Sequence, residues 1–257
     1  MALAATAAAA ELKPETLRAY EGYVAWTDDR VKTDLSNGSP FLWLAGLADD
    51  RRQSVDRQLR KGDLVTQDLK PSDLEVPEGM VHHWVSTAFI PGATLTETLA
   101  VLLDFENYGK IHRPYFQRSR LLERKGNDCR VQLRVYRRKF FASMVADADL
   151  EVHTTILEGG RAVVRMRAAR IQEIDDAGES GERPSEPGSY RGFIWRYDSY
   201  YRIEQSKDGT YLQAEAISLS KDIFFPMGTF LRGVHKDSLE DIVRNTKDEL
   251  VARKKGR

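Results

Sequence analysis

The sequence predicts an α+β protein: a long antiparallel sheet covered by one C-terminal helix, with a mostly helical extension before it. Two observations carry this. Between residues 119 and 220, apolar residues recur at strand period. The runs are broken by turn signals at Lys125-Gly126-Asn127-Asp128, Glu158-Gly159-Gly160 and Lys207-Asp208-Gly209. Over residues 229–252, Leu231, Val234, Leu239, Ile242, Val243, Thr246 and Leu250 fall on one side of a helical wheel. Arg232, Lys236, Asp237, Glu240, Asp241, Arg244, Lys247 and Asp248 fall on the other. Such a helix needs one covering surface, and the sheet has a face to bury.

In chain order, residues 14–35 read as a helix. Pro14 suits a first turn, and Leu17, Tyr20, Val24, Thr27 and Val31 recur at three- and four-residue steps. Asn37-Gly38-Ser39-Pro40 ends it. Residues 41–47 are a short apolar piece, either a strand or a packed helical turn. A charged helix follows at 49–61, stopped by Gly62, and a short strand at 64–69. Residues 71–79, with Pro71, Pro77 and Gly79, connect to the main domain, on which the first part is expected to pack. Residues 81–90 form a strand closed by Pro91-Gly92. Thr94 then caps a helix, with Glu97 at capping-box spacing. The meander follows as strands 119–123, 129–138, 140–155, 161–174, 190–204 and 210–220, with residues 175–189 as a mobile loop.

Charge supports the pairing order. Arg130, Arg134 and Arg138 share one strand face; Asp147, Asp149 and Glu151 share one face of the next; Arg161, Arg165 and Arg167 share one face of the third. Opposite charges meeting across each ladder contribute about 0.2–1 kcal/mol per pair. The other faces carry Val131, Leu133 and Val135, then Met144, Ala146, Ala148, Leu150 and Val152, then Ala162, Val164, Met166 and Ala168. The sheet therefore has a charged outside and an apolar inside.

With 257 residues, the chain can build a sizeable core without a metal or disulfide staple. Lys plus Arg and Asp plus Glu are 39 each, a balance that recommends neither nucleic acid nor an anionic membrane as partner. Cys129 is the single cysteine and reads as a packed thiol. There is no nucleophile elbow, phosphate-binding glycine loop, dinucleotide fingerprint or zinc motif, so no cofactor and no metal is expected. No stretch is apolar enough to cross a bilayer. Residues 1–10 form an alanine-rich leader. Ala8-Ala9-Ala10 resembles a signal-peptide cleavage region, although a basic start is missing. A periplasmic or secreted protein is the expectation, with a helical lead-in on a cytoplasmic protein as the alternative.

The order of a strand, a helical linker, a meander and one long helix resembles the helix-grip fold of the START and polyketide-cyclase-like (SRPBCC) superfamily. Leu103-Asp104-Phe105, Tyr108, Pro114, Ser119 and Leu121 resemble the family's acidic-aromatic helix end, proline and strand opening. Ser218-Leu219-Ser220, Pro226 and the last helix resemble its closing elements. The resemblance covers roughly residues 80–254 and leaves 11–79 as an extension. It implies a curved sheet gripping the terminal helix around an apolar cavity for a lipid, sterol, hormone or polyketide. Some members are cyclases or hydrolases and many only bind, so the resemblance supplies a pocket and no reaction.

Several residues are candidates for that pocket. Arg170 falls on the apolar face with Val164, Met166 and Ala168, where a buried guanidinium needs a carboxylate, carbonyls or a ligand head group. Arg196 and Glu215 are weaker candidates of the same kind. Trp195, Tyr197 and Tyr201 share one strand face and line either a cavity or a core. His235 and Ser238 project into the apolar stripe of the last helix. His82 and His83, adjacent on a strand, point to opposite faces and do not readily share a metal. Asp147, Asp149, Glu151 and His153 could mimic a ligand row, but basic neighbours explain the acids better. The expected function is binding or transport of a hydrophobic, lipid-like small molecule by Arg170, His235, Ser238, Trp195, Tyr201 and Met166. One alternative is a cyclase or dehydratase with His235 or His112 as acid–base and Arg170 polarising a carbonyl. The other is an interaction module whose groove receives a partner peptide or the N-terminal helix.

Overall fold

The structure is a computed structural model and describes residues 12–36, 39–139, 142–186, 193–222 and 227–256, without the side chains of 139, 142 and 227–231. The alanine-rich leader, Asn37-Gly38, Pro226 and the side chain of Leu231 in the helical stripe fall outside this description.

The N-terminal part forms α1 (Pro14–Asp34), a 3-10 turn (Trp43–Gly46) and α2 (Asp49–Lys61). Gly62 ends α2 with φ of 102°, the left-handed geometry that glycine adopts without strain. Strands β1 (Val65–Asp68) and β2 (Gly79–Pro91) follow. Next come α3 (Leu95–Leu102), a 3-10 turn (Phe105–Asn107) and the single turn α4 (Tyr108–Ile111). Thr94 and Glu97 cap α3 reciprocally, as their spacing requires. The meander comprises β3 (Phe116–Lys125), β4 (Asp128–Lys139), β5 (Ala142–Leu157), β6 (Arg161–Asp175), the two-residue β7 (Arg183–Pro184), β8 (Arg196–Ser206) and β9 (Gly209–Lys221). The chain closes with α5 (Met227–Lys255).

All described pairings are antiparallel, in the order β1-β2-β9-β8-β6-β5-β4-β3, with β7 bridging the end of β6. The meander is as expected; its last strand then pairs with β2 along the full length of both, from Gly79 opposite Lys221 to Pro91 opposite Gly209. The loop between β6 and β8 is less detached than expected. Pro184 pairs with Ile174, and Glu182 reaches back to Arg134 at 2.6 Å.

Over β2, β8, β9 and part of β6 the sheet is covered on both sides, whereas the outer face of β4 and β5 keeps the expected exposed, charged side chains such as Arg130 and His153. On the inner face, Leu212, Ala214 and Ala216 of β9 join Leu133, Val152, Val164 and Met166 against Leu239, Ile242, Val243 and Leu250 of α5. On the outer face, Tyr20, Tyr23, Val24 and Val31 of α1 bury Val81, Tyr200, Ile217 and Leu219. Phe41, Leu42, Val55 and Leu59 similarly bury Phe89, Val163 and Tyr211. Residues of β9 from Gly209 to Ser220 are consequently all buried. Several polar outer-face groups there are paired internally, as burial favours. The Trp43 amide donates to Gln213 at 2.6 Å, His83 Nε2 lies 2.8 Å from Glu215, and Tyr23 bonds His83 Nδ1 at 2.7 Å.

The charge ladder holds in register, with Arg130 opposite Glu151 and Arg134 opposite Asp147. Arg134 grips Asp147 with two bonds, 2.7 and 2.9 Å. Arg165 and Arg167 depart from the expectation by turning toward β8 and α1. Both bond Asp198, at 2.6 and 2.9 Å, and Arg165 also bonds Asp28 at 3.1 Å. The N-terminal helix thus supplies acid to arginines that the sequence pattern assigned to β5.

Candidate functional site

A partly enclosed cavity of about 140 Å³ lies between the inner face of the sheet and α5. Its origin is in side-chain size. A sheet and a helix normally fill the gap between them with large residues. Here Ala146, Ala148, Ala168 and Ala216 face the helix and leave space open. Apolar side chains make up most of the rest, including Leu133, Val135 and Ile171 from the sheet and Val234, Leu239 and Ile242 from α5.

Polar groups gather along α5, where Ser238 meets Arg137 of β4 and His235 meets Ser218 of β9. His235 Nδ1 lies 2.9 Å from Ser218 Oγ, and its ring stacks on His82 with centroids 4.0 Å apart. Ser238 Oγ donates to the Val234 carbonyl at 2.7 Å and accepts from Arg137 Nε at 2.6 Å. Arg137 Nη1 donates to the Tyr136 carbonyl at 3.0 Å, and the guanidinium lies 4.4 Å from the Tyr115 ring centroid. Burial pulls His235 down to about 4, so its imidazole is neutral at pH 7. Burial lowers His82 further, helped by His235 and nearby cations. Arg137 is pulled down to about 10 by burial, with Asp241 opposing the shift, and keeps its charge at neutral pH.

Of the residues singled out from sequence, Met166, Tyr201, His235 and Ser238 line this cavity together, with Tyr197 beside them. Two do not. Arg170 points out of the sheet, its side chain 57% exposed and 3.7 Å from Asp149. The cause is a register shift: Leu150 pairs with Ala168 but Asp149 pairs with Arg170. The extra residue, Ala169, reverses the alternation, so Ile171 takes the inward place. Trp195 precedes the first residue of β8 and packs outward with Tyr20 and Leu219. Glu215 also lies on the outer side, bonded to His83, and Arg30 donates to it.

His112 is fully buried against Tyr108 and Phe116 and does not line the cavity. The acid–base set of His235 or His112 with Arg170 is therefore not assembled. His82 and His83 do lie on opposite faces, one on His235 and the other under α1. Sequence reasoning missed Arg137, although its signal was present. It stands two residues beyond Val135, on the face already assigned to Val131, Leu133 and Val135.

A long helix held against a curved antiparallel sheet, with a cavity between them, decides the architecture. The chain has the START-like helix-grip fold. No family model and no curated protein sequence matches it. Solved structures do. A fragment of the STAR-related lipid transfer protein from Xanthomonas axonopodis matches with TM-score 0.49 and 12% identity, over 72% of this chain and 98% of that one. Human StAR-related lipid transfer protein 5 matches with TM-score 0.49 and 10% identity, over 92% and 98%. The Zhui aromatase/cyclase from Streptomyces sp. R1128 matches with TM-score 0.47 and 12% identity, over 68% and 96%. These are likenesses of fold, and nothing about ligand or reaction is taken from them.

Proposed function

We propose that this helix-grip protein binds or carries a hydrophobic, lipid-like small molecule in the cavity between its sheet and α5. The observation that carries the reading is the alanine-floored hollow with a cluster of polar groups at one side. Apolar contact supplies most of the affinity, about 25 cal/mol per Å² buried before ordering costs, and a few polar groups orient the ligand. A space of about 140 Å³ suits a compact ligand or one segment of a longer one. The cyclase or dehydratase reading lacks its catalytic set, because Arg170 faces away from both histidines' side of the sheet. The reading in which the N-terminal helix fills the groove is disfavoured by α1 lying on the opposite face. Native mass spectrometry and organic extraction of the purified protein test the carrier reading. A reproducible co-purifying hydrophobic compound supports it; consistently empty protein that also binds no added hydrophobic probe overturns it. Export is a separate proposal, checked by mapping the N-terminus of the protein from its native host.

A further inference from the structure

The described side chains lining the cavity include no aspartate or glutamate, and Arg137 is the charged group among them. The other well-covered arginines each hold an acid. Arg202 bonds Asp34 at 2.8 Å, Arg134 bonds Asp147 at 2.7 Å, and Arg165 bonds Asp198 at 2.6 Å. Arg137 has no carboxylate within ion-pair distance among the described residues. Its Nε is taken by Ser238 and its Nη1 by the Tyr136 carbonyl, while Nη2 has no described hydrogen-bond partner. Asp241 acts on it electrostatically, without an ion pair between the two among the described residues. Ser238 spends its own proton on Val234, so it can only accept from Arg137, which fixes the guanidinium plane on α5. A guanidinium held this way against an apolar wall has donor capacity that suits an anion.

We propose that Arg137 receives the anionic head group of an amphiphile, a carboxylate or a phosphate, whose apolar body lies over Ala146, Ala148 and Ala216. This rests on the reading that the cavity binds a hydrophobic molecule, and adds the charge of that molecule's polar end. Arg137 donates through Nη2, and the neutral His235 and Ser218 line the same hollow.

The test uses the full chain and a neutral fluorescent probe, N-phenyl-1-naphthylamine, displaced by decanoate, decyl phosphate or decanol. The three compounds share one chain and differ in head group. Wild type is expected to prefer at least one anion over decanol by about tenfold. Arg137→Gln is expected to erase that preference, Arg137→Lys to keep part of it, and Arg170→Gln on the outer face to keep all of it. A preference for decanoate alone or decyl phosphate alone identifies the head group. Equal displacement by all three in wild type, or an unaltered preference in a folded Arg137→Gln protein, overturns the assignment and leaves the hydrophobic-ligand reading standing. Failure of the probe and every compound to bind overturns both.

Discussion

Arg202, on the outer face of β8, donates to Asp34 at the end of α1 at 2.8 Å and to the Phe41 carbonyl at 2.7 Å. Its side chain is 2% exposed, which places a charged group inside the layer between the sheet and the N-terminal extension. Glu215 lies 3.9 Å away and Arg30 bridges Asp34 to Glu215. The sheet and the extension therefore share a charge network that neither closes alone.

Removing one partner of such a network leaves a buried charge uncompensated, which typically costs about 3–5 kcal/mol. With Glu215 in reach, Asp34→Ala is expected to cost about 2–3 kcal/mol in urea denaturation. Residues 80–254 expressed alone are expected to be insoluble or to lack a cooperative transition, since Arg202, Glu215 and Asp198 then meet water beside bare Ile217 and Leu219. A cooperative transition in that fragment by circular dichroism would show that the extension is dispensable.

Acid should weaken the fold through His112. Both its ring nitrogens are buried with no hydrogen-bond partner among the described residues, and burial pulls it down to about 4 from the usual 6.5. The unfolded chain therefore takes up a proton between about pH 6.5 and pH 4 that the folded chain refuses. The stability is fully present above that window, is lost as pH falls through it, and levels off below about 4, a change of at most about 3 kcal/mol. His235 acts in the same direction. His112→Phe should flatten this limb in denaturation curves taken across the window; an unchanged slope would remove His112 as its source.

Ala148 is buried, lines the cavity, and faces away from the N-terminal layer. Ala148→Leu should fill part of the hollow, with a stability change of about 1 kcal/mol or less because the added methyl groups enter open space. Ligand or probe binding should fall steeply, read by extraction and by fluorescence titration. Retained binding with an unchanged midpoint would place the ligand elsewhere.

Thr94 accepts from the Glu97 amide at 3.2 Å, and the Thr94 amide donates to Glu97 Oε2 at 3.0 Å. Thr94→Ala should cost about 1 kcal/mol in thermal or chemical unfolding, with no effect on ligand binding.

That cap illustrates what local chemistry makes legible. Two residues at fixed spacing, Thr94 and Glu97, specify it, and its neighbours matter little. The meander, the terminal helix and the inward set around Met166 were readable for the same reason, since period and turns are local. Arg170 was not, because a single extra residue in β6 reverses a face, and nothing in the sequence around Ala169 marks the shift. The covered outer face was partly readable. Tyr200, Tyr211, Ile217 and Leu219 put large apolar groups on the side taken to be wet, the sign of a strand buried twice. What hid it was the polarity of Gln213 and Glu215, whose partners lie more than a hundred residues earlier at Trp43 and His83.

Strand β9 alternates between two duties along one extended segment, with Ala216 and Ser218 toward α5 and Glu215 and Ile217 toward α1. Inserting or deleting a single residue within it would exchange the two sets at a stroke. A carboxylate would enter the greasy side while the alanines met Tyr20 and Tyr23. Length in this strand is therefore under tighter constraint than identity at any one of its positions, and natural or engineered variants should tolerate substitutions there before they tolerate a frame slip.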